Sequence, residues 1–460
     1  MKIRRTFTLL GLLVLVMAPA LACNLPTPAT PVFPTSPPQT HQALEWPPLA
    51  SETRAVEASP SPETPTPTLP APTVEALYPF LGLQTATPGM GEPLPWSTPA
   101  PEALLPPFTY WTQPGDTLAV LADRFDVLPD EISAPQPLPA EGLLADGILL
   151  SIPNRLGELP YPSALLPDSL VVYSPAAAGF DIEAYVSQAG AYLSSYSQPL
   201  GVNEWLSGAQ IVRRVAVETS INPQVLLAFL EYRSGWVLGQ PAAYSDLVHP
   251  IGYYVPDYTG LYLELSLVAK QLNLGYYGWR QGTQVEVVLL SGTHIRLSPG
   301  LNAGTAALQT LAARSTYQQD DWQEALYGAN GLTGLYTRMF GVPWQAAARY
   351  EPLLPAGLAQ PALELPFAAG ERWSLTAGPH TAWTSGTPRG AVDFAPVTNE
   401  LPCVISRAWA TAAAAGLVVR AERGVVVIDL DGDGLEQTGW VLVYMHIAEQ
   451  DRVAVGTWVE

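Results

Sequence analysis

Only two cysteines occur in 460 residues, which excludes a disulfide-dense scaffold. Basic side chains are scarce too: 21 Lys and Arg stand against 41 Asp and Glu, for a net charge of −20. Nucleic-acid affinity comes largely from basic contacts to phosphate, so this balance excludes DNA or RNA as the partner. Past the N-terminal leader no run reaches about 18 consecutive apolar residues, so the rest of the chain holds no membrane-spanning helix. No internal repeat with a period of roughly 20 to 50 residues is visible. Histidine is rare, at five, so each one can be weighed individually.

The first 22 residues have the layout of an export signal. Lys2, Arg4 and Arg5 form its positive end, and Leu9 to Met17 form an apolar core too short to cross a bilayer. Ala20-Leu21-Ala22-Cys23 follows and resembles a bacterial lipoprotein cleavage site, with Ala20 where that family favours Leu. The resemblance implies lipidation of Cys23 and a lipid-anchored protein on the extracytoplasmic side of the cell envelope. Plain signal cleavage, with Cys23 an incidental thiol, is the other reading. If Cys23 is acylated, Cys403 has no partner. Residues 23–107 are a Pro/Thr/Ser-rich tether, with 22 prolines, seven Glu and one Arg between residues 24 and 107. Such a composition stays extended and partly polyproline II, giving reach or a glycosylated stalk.

Residues 108–155 read as a small α+β unit. Tyr110-Trp-Thr-Gln is a strand, and Gly115-Asp116-Thr117 is a turn with a helix-capping signal. Leu118, Leu121, Ala122 and Phe125 recur at helical spacing, and Ile148 to Pro153 is a second strand. The series Pro-Gly-Asp-Thr-Leu, Leu-Ala-Asp-Arg-Phe-Asp-Val and Ile-Leu-Leu-Ser-Ile-Pro resembles a LysM module. That resemblance implies a strand–helix–helix–strand fold and binding of N-acetylglucosamine-containing glycans, with Gly115, Asp116, Thr117 and Leu118 along the groove. Leu121 and Phe125 are core on either view. Three prolines in Ser133-Ala-Pro-Gln-Pro-Leu-Pro139 should distort or shorten the second helix.

A linker over 156–178 leads to a helical stretch over 179–350. Asn222-Pro223 is a cap followed by proline in the first turn, and Val225, Leu226, Phe229 and Leu230 follow at helical intervals. The run Ile221 to Trp236 resembles a helix of the soluble lytic transglycosylase and lysozyme-like family. That implies an all-α lysozyme-like domain. In that family a catalytic Glu directly precedes Ser-Gly; here Arg233 holds the place and Glu231 lies two positions earlier. Two residues are about 200° of helical rotation, so Glu231 as a glycosidic acid competes with a purely structural or glycan-holding domain. Clustered aromatics, including Gly275-Tyr-Tyr-Gly-Trp-Arg280 as a groove loop, suit sugar stacking or ordinary core. His249 and His294 have no ligand spacing and read as surface residues.

A second linker, 351–366, precedes the segment 367–460. There His380 and Asp393 stand thirteen positions apart across a Gly/Thr/Ser/Pro loop, with Asp393 in an apolar run that reads as a buried strand. A buried carboxylate needs a partner, and imidazole and carboxylate are both good zinc ligands. A surface His beside an Asp held by backbone N–H groups is the plainer account. Gly378-Pro-His380, Asp393-Phe394 and Leu442-Val-Tyr-Met-His446-Ile resemble the lysostaphin/LytM-type zinc endopeptidases, in particular their beta-lytic branch. The resemblance implies a mainly β antiparallel domain with His380 and Asp393 on zinc and His446 stabilising the tetrahedral intermediate. The family's later His-x-His is not found after His446, so the domain is expected to be incomplete or degenerate. Asp429-Leu-Asp431-Gly-Asp433-Gly434 copies the first half of an EF-hand loop. Its twelfth place is Trp440 rather than Glu, which favours an acidic hairpin turn over a calcium loop.

The expectation is thus a multi-domain, exported lipoprotein whose zinc endopeptidase cuts peptidoglycan peptides under LysM targeting. The membrane is contacted only through the anchor. The competing readings are a non-catalytic wall-binding protein with a degenerate peptidase fold, and a glycan-strand lytic enzyme working through Glu231.

Overall fold

A computed structural model describes residues 105–460 except 202, 255–257, 355–358, 382–387 and 399–403. The export signal, Cys23, the tether through residue 104 and Cys403 lie outside the described residues.

In the N-terminal module, β1 (Phe108–Trp111) pairs antiparallel with β2 (Leu149–Ile152), Tyr110 opposite Leu150. Between them, α1 (Leu118–Phe125) starts where the Thr117 hydroxyl accepts from the Val120 amide. It stops where Asp126 turns left-handed at φ 56. Leu121 and Phe125 face Tyr110, Leu150 and Ile152 in a small core. In place of a second α-helix there is one 3-10 turn, Pro129–Glu131, and the proline run after it forms no helix. Each proline there lacks the amide a helix would use.

The helical domain runs through α2 (Pro175–Ala178), α3 (Ile182–Ala189) and α4 (Tyr192–Ser195) to a hairpin of β3 (Ser197–Gly201) and β4 (Glu204–Ser207). Then come α5 (Gly208–Thr219), α6 (Pro223–Ser234), α7 (Tyr244–Val248) and α8 (Leu261–Arg280). A second hairpin, β5 (Glu286–Val288) with β6 (His294–Arg296), precedes α9 (Ala303–Ala313), α10 (Gln319–Tyr327), α11 (Leu332–Phe340) and α12 (Pro343–Ala347). The two hairpins modify the all-α expectation. Asn222 caps α6 and Pro223 fills its first position; Gly235, at φ 66, ends it.

Every residue of α9 is buried, as an apolar helix must be when neighbours cover all its sides. It meets α8 at Gly275, where a Cβ would stand 2.7 Å from the Ala307 Cα. Gly275–Arg280 is therefore the end of α8 and not a groove loop; Tyr276 and Trp279 are core. Gly275→Ala should push the two helices apart and cost about 2 kcal/mol, read from the urea midpoint. The supposed linker 156–178 is likewise part of this core, with Leu165, Leu166, Leu170, Val171 and Val172 buried.

In the C-terminal segment β7 (Trp373–His380) and β8 (Ala391–Pro396) form a two-stranded sheet. A separate sheet holds β9 (Gly416–Glu422), β10 (Val425–Asp429), β11 (Val441–Tyr444) and β12 (Trp458–Val459), all antiparallel, in the order β11-β10-β9-β12. Its core is small, built on Val418, Val426 and Ile428. The second linker is tied down at its end: the Glu364 amide donates to the Ala413 carbonyl and the Thr411 amide to that of Pro366.

Candidate functional site

His380 ends β7 and Asp393 lies on β8, where the register sets His380 opposite Ala391 and Ala377 opposite Asp393. The His380 Nε2 stands 2.9 Å from Asp393 Oδ1, and its Nδ1 stands 2.8 Å from the Thr381 carbonyl oxygen. The Thr376 hydroxyl donates to the Asp393 carbonyl at 3.3 Å and ties the two strands together beside the pair. Phe394, next along β8, packs edge-on to Phe367, which stacks on Trp373. Asp393 is not buried as the apolar run suggested. Its side chain is 55% exposed, because β8 leaves Val392 open to solvent as well. The reason to suspect a partner is therefore not desolvation but the ring between two acceptors.

A neutral imidazole has one N–H and one lone pair. Both ring nitrogens of His380 face oxygen atoms that only accept. One N–H can satisfy one of them; the other contact needs a second proton or a cation. The Thr381 carbonyl first, and Asp393 after it, accordingly hold the imidazole above its usual 6.5. With Nδ1–H on Thr381, the Nε2 lone pair is turned to Asp393, the tautomer and orientation that a metal-ligating histidine takes. The donor set, one imidazole nitrogen and one carboxylate oxygen, suits zinc. No third His, Cys, Asp or Glu joins the pair among the described residues. His446 lies two residues beyond the end of β11 rather than on that strand. It is exposed, on a bend with φ 62, and the Ile447 amide donates to the Gly424 carbonyl beside it.

Glu231, the candidate glycosidic acid, is engaged by backbone amides. Its Oε2 accepts from the Val237 and Leu238 amides at 2.9 and 2.8 Å, bracing the turn after α6. The carboxylate more deeply set in this domain is Glu264, on α8. It is fully buried and accepts from the Ile251 and Gly252 amides, with His249 Nδ1 at 2.7 Å. His249 is thus half-buried against Glu264 rather than free on the surface, whereas His294 is exposed beside Glu286. Burial keeps the Glu264 carboxyl above its usual 4.5. A folded-state value raised in this way contributes stability below the unfolded value, and that stability is lost as pH rises through the raised one. Comparing unfolding midpoints across the window above pH 4.5, the wild-type chain should lose stability relative to Glu264→Gln.

The turn before α1 is spent on the fold. Asp116 is buried and accepts from the Tyr110 hydroxyl, the Gln113 amide and Arg124, while Thr117 caps α1. Gly115 abuts the Arg280 guanidinium. Of the four residues assigned to a glycan groove, Leu118 lines an open cleft of about 510 Å³, with Pro129, Ile132, Ser133, Pro135 and Leu138. Asp429, Asp431 and Asp433 form an acidic turn in which Asp429 accepts from the Asp431 and Gly434 amides. They are the one group of three possible metal ligands among the described residues. A hydrogen bond with Asp429 raises the Asp431 carboxyl from its ordinary value.

Asp168, Arg124, Arg280 and Arg296 are the structurally decisive residues that sequence patterning does not expose. Arg124 sits in an amphipathic helix like any surface arginine, and only long-range contacts show that it is buried.

The comparisons with known proteins agree with a peptidase relation. Residues 164–354 match the family described as LasA, N-terminal domain, which covers the helical domain together with the supposed linker from residue 164 onward. Protease LasA from each of two Pseudomonas aeruginosa strains is 30% identical over 321 residues, spanning 66% of this chain and 68% of the relative. That span is longer than the helical domain alone. No solved structure matches. The chain belongs to the LasA protease family.

Proposed function

We propose that the protein is an exported, cell-envelope zinc endopeptidase that cuts the peptides of bacterial peptidoglycan. The observation that carries this is His380, an imidazole whose two nitrogens both face acceptors, with Nε2 set against Asp393. His380 and Asp393 would supply two of the three protein ligands of a catalytic zinc. When bound there, the ion supplies a polarised scissile carbonyl and an activated water. The chain's own part is positional. With the ion on Nε2, the Thr381 carbonyl would accept from Nδ1–H of His380, and Thr376 fastens β7 to β8 beside Asp393. His446, exposed on its bend, is assigned to donate to the oxygen of the tetrahedral intermediate. The open cleft at Leu118 is assigned to wall glycan of the N-acetylglucosamine type, which would bring the peptidase to its substrate.

Two measurements test the reading together: zinc content of the purified chain, and release of new amino termini from purified wall. Zinc bound and peptides released support it. Zinc absent and wall intact leave a wall-binding protein with a degenerate peptidase fold. Release of reducing or anhydro sugars in place of amino termini would move the chemistry to the helical domain.

A further inference from the structure

A contact built on three arginines lies away from His380. The N-terminal module meets the C-terminal end of α8, and each side caps the other. Arg124 leaves α1 and lays its Nε and Nη2 on the Trp279 carbonyl, at 3.3 and 3.1 Å. That carbonyl is among the last of α8, where helix carbonyls lack intrahelical donors and cations are favoured. In return Arg296 of β6 reaches the last turn of α1, with Nη2 at 2.9 Å from both the Asp123 and Arg124 carbonyls. A third arginine, Arg280, donates to the Pro114 carbonyl and pairs with Asp168 of the helical domain.

Burial makes this more than surface contact. The Arg124 and Asp116 side chains, 3.2 Å apart, are each only 5% exposed, and the guanidinium stacks 4.8 Å from the centre of the Trp279 ring. A buried arginine is costly unless its donors are met; here a carboxylate, a carbonyl and an indole face share it. Two glycines let the backbones close in. A Cβ on Gly115 would overlap Arg280, and one on Gly282 would stand 2.9 Å from the Asp123 carboxylate. The socket residues Trp279, Arg280 and Arg296 fall within 164–354, whereas the module lies outside that match. The contact therefore joins the family domain to a unit the family match does not include.

We propose that the end of α8, with Arg296, is a fixed dock for the N-terminal module, so that module and helical domain act as one cooperative recognition unit rather than as a tethered targeting domain beside an independent one. The Gly115–Asp116 turn is then the docking edge, and ligand is met at the cleft between Leu118 and Leu138. That last clause rests on the wall-glycan reading given above; the dock itself does not.

Hydrogen exchange on the full chain tests the dock. Amides of β1 and β2 should share the slow, global protection of α8. Arg124→Ala should speed their exchange by about a hundredfold while α9 stays protected. Because Arg124 also pairs inside the module, Arg296→Ala and Arg280→Ala serve as second variants that touch the dock from the helical side only. They too should loosen β1 and β2. Independent exchange of the module in the native chain, or no change in the two helical-side variants, would overturn the proposal. A second arm titrates a soluble N-acetylglucosamine oligomer and follows backbone amide signals. Shifts at Leu118 and Ser133 without shifts at Gly115 support the assigned cleft. Shifts centred on Gly115 and Arg280 would mean the docking edge is a ligand site and would overturn the dock. No shift anywhere sinks the glycan reading, and the exchange result then decides the dock alone.

Discussion

Replacing either His380 or Asp393 with alanine is expected to lower zinc affinity at least about a hundredfold and to abolish peptide release from wall, while leaving the helical domain folded. Even outer partners of metal ligands cost about 10- to 100-fold in affinity when removed, so a ligand itself should cost more. The two side chains come from adjacent strands, and the hairpin carrying them packs through Phe367, Trp373 and Phe394 rather than through the pair itself. Loss of the pair should therefore not unfold the hairpin. Thr376→Val is the graded control. It removes a bond to a backbone carbonyl of Asp393 and should weaken zinc by about tenfold or less. His446→Ala should separate metal from chemistry, with zinc retained and kcat down by about a hundredfold. Competition with a chromophoric chelator reads the affinities, and appearance of amino groups from wall reads the rate. Unchanged zinc affinity in both His380→Ala and Asp393→Ala would end the metal assignment.

Local chemistry was legible in the sequence wherever it acts over a few residues. The Thr117 and Asn222 caps, Pro223 in the first turn of α6 and the shortening of the module's second helix by its prolines all depend on neighbours within one or two turns. The juxtaposition of His380 and Asp393 was legible as well, because a loop between two strands of this length returns the chain to pair with itself. Burial was not. The apolar letters of Ala391-Val-Asp-Phe-Ala suggest an interior strand, yet strand composition does not say whether a second layer covers it, and here β8 stays half open. The reverse error occurred at Gly275–Arg280, where glycines and tyrosines look like a loop. There the glycine is a contact point between two packed helices, a role visible only once α9 is in place. The stretch 156–178 misled for the same reason: its prolines signal irregular backbone, and irregular backbone can still line a core. Glu231 shows the limit at single residues. Helical phase separates it from the Arg233 position, but does not say that its carboxylate braces the Val237–Leu238 turn.

Asp168 carries the second large expectation, and it explains why the supposed linker belongs to the helical domain. Its Oδ1 accepts from the Asn302 side chain and the Gly304 amide, both at 2.7 Å, and its Oδ2 faces the Tyr276 hydroxyl at 3.3 Å and Arg280 at 3.8 Å. One carboxylate on the 3-10 turn Asp168–Leu170 thus satisfies the Gly304 amide in the first turn of α9 and reaches the end of α8, the two helices that form the centre of the core. Asp168→Ala would leave a helix start and a buried tyrosine hydroxyl without acceptors. The cost should be about 3 kcal/mol, a large share of the roughly 5–15 kcal/mol that holds a domain folded. Asp168→Asn keeps one carbonyl acceptor and should cost about half as much, since the neutral oxygen makes the weaker bond. Urea unfolding followed through tryptophan fluorescence reads both. Trp279 lies on the same turn of α8 as Arg280, so the module's protection should fall in parallel with domain stability in Asp168→Ala. If the alanine variant instead unfolds at the wild-type midpoint, the carboxylate is a spectator and the segment before α2 is joined to the domain by its leucines and its other hydrogen bonds.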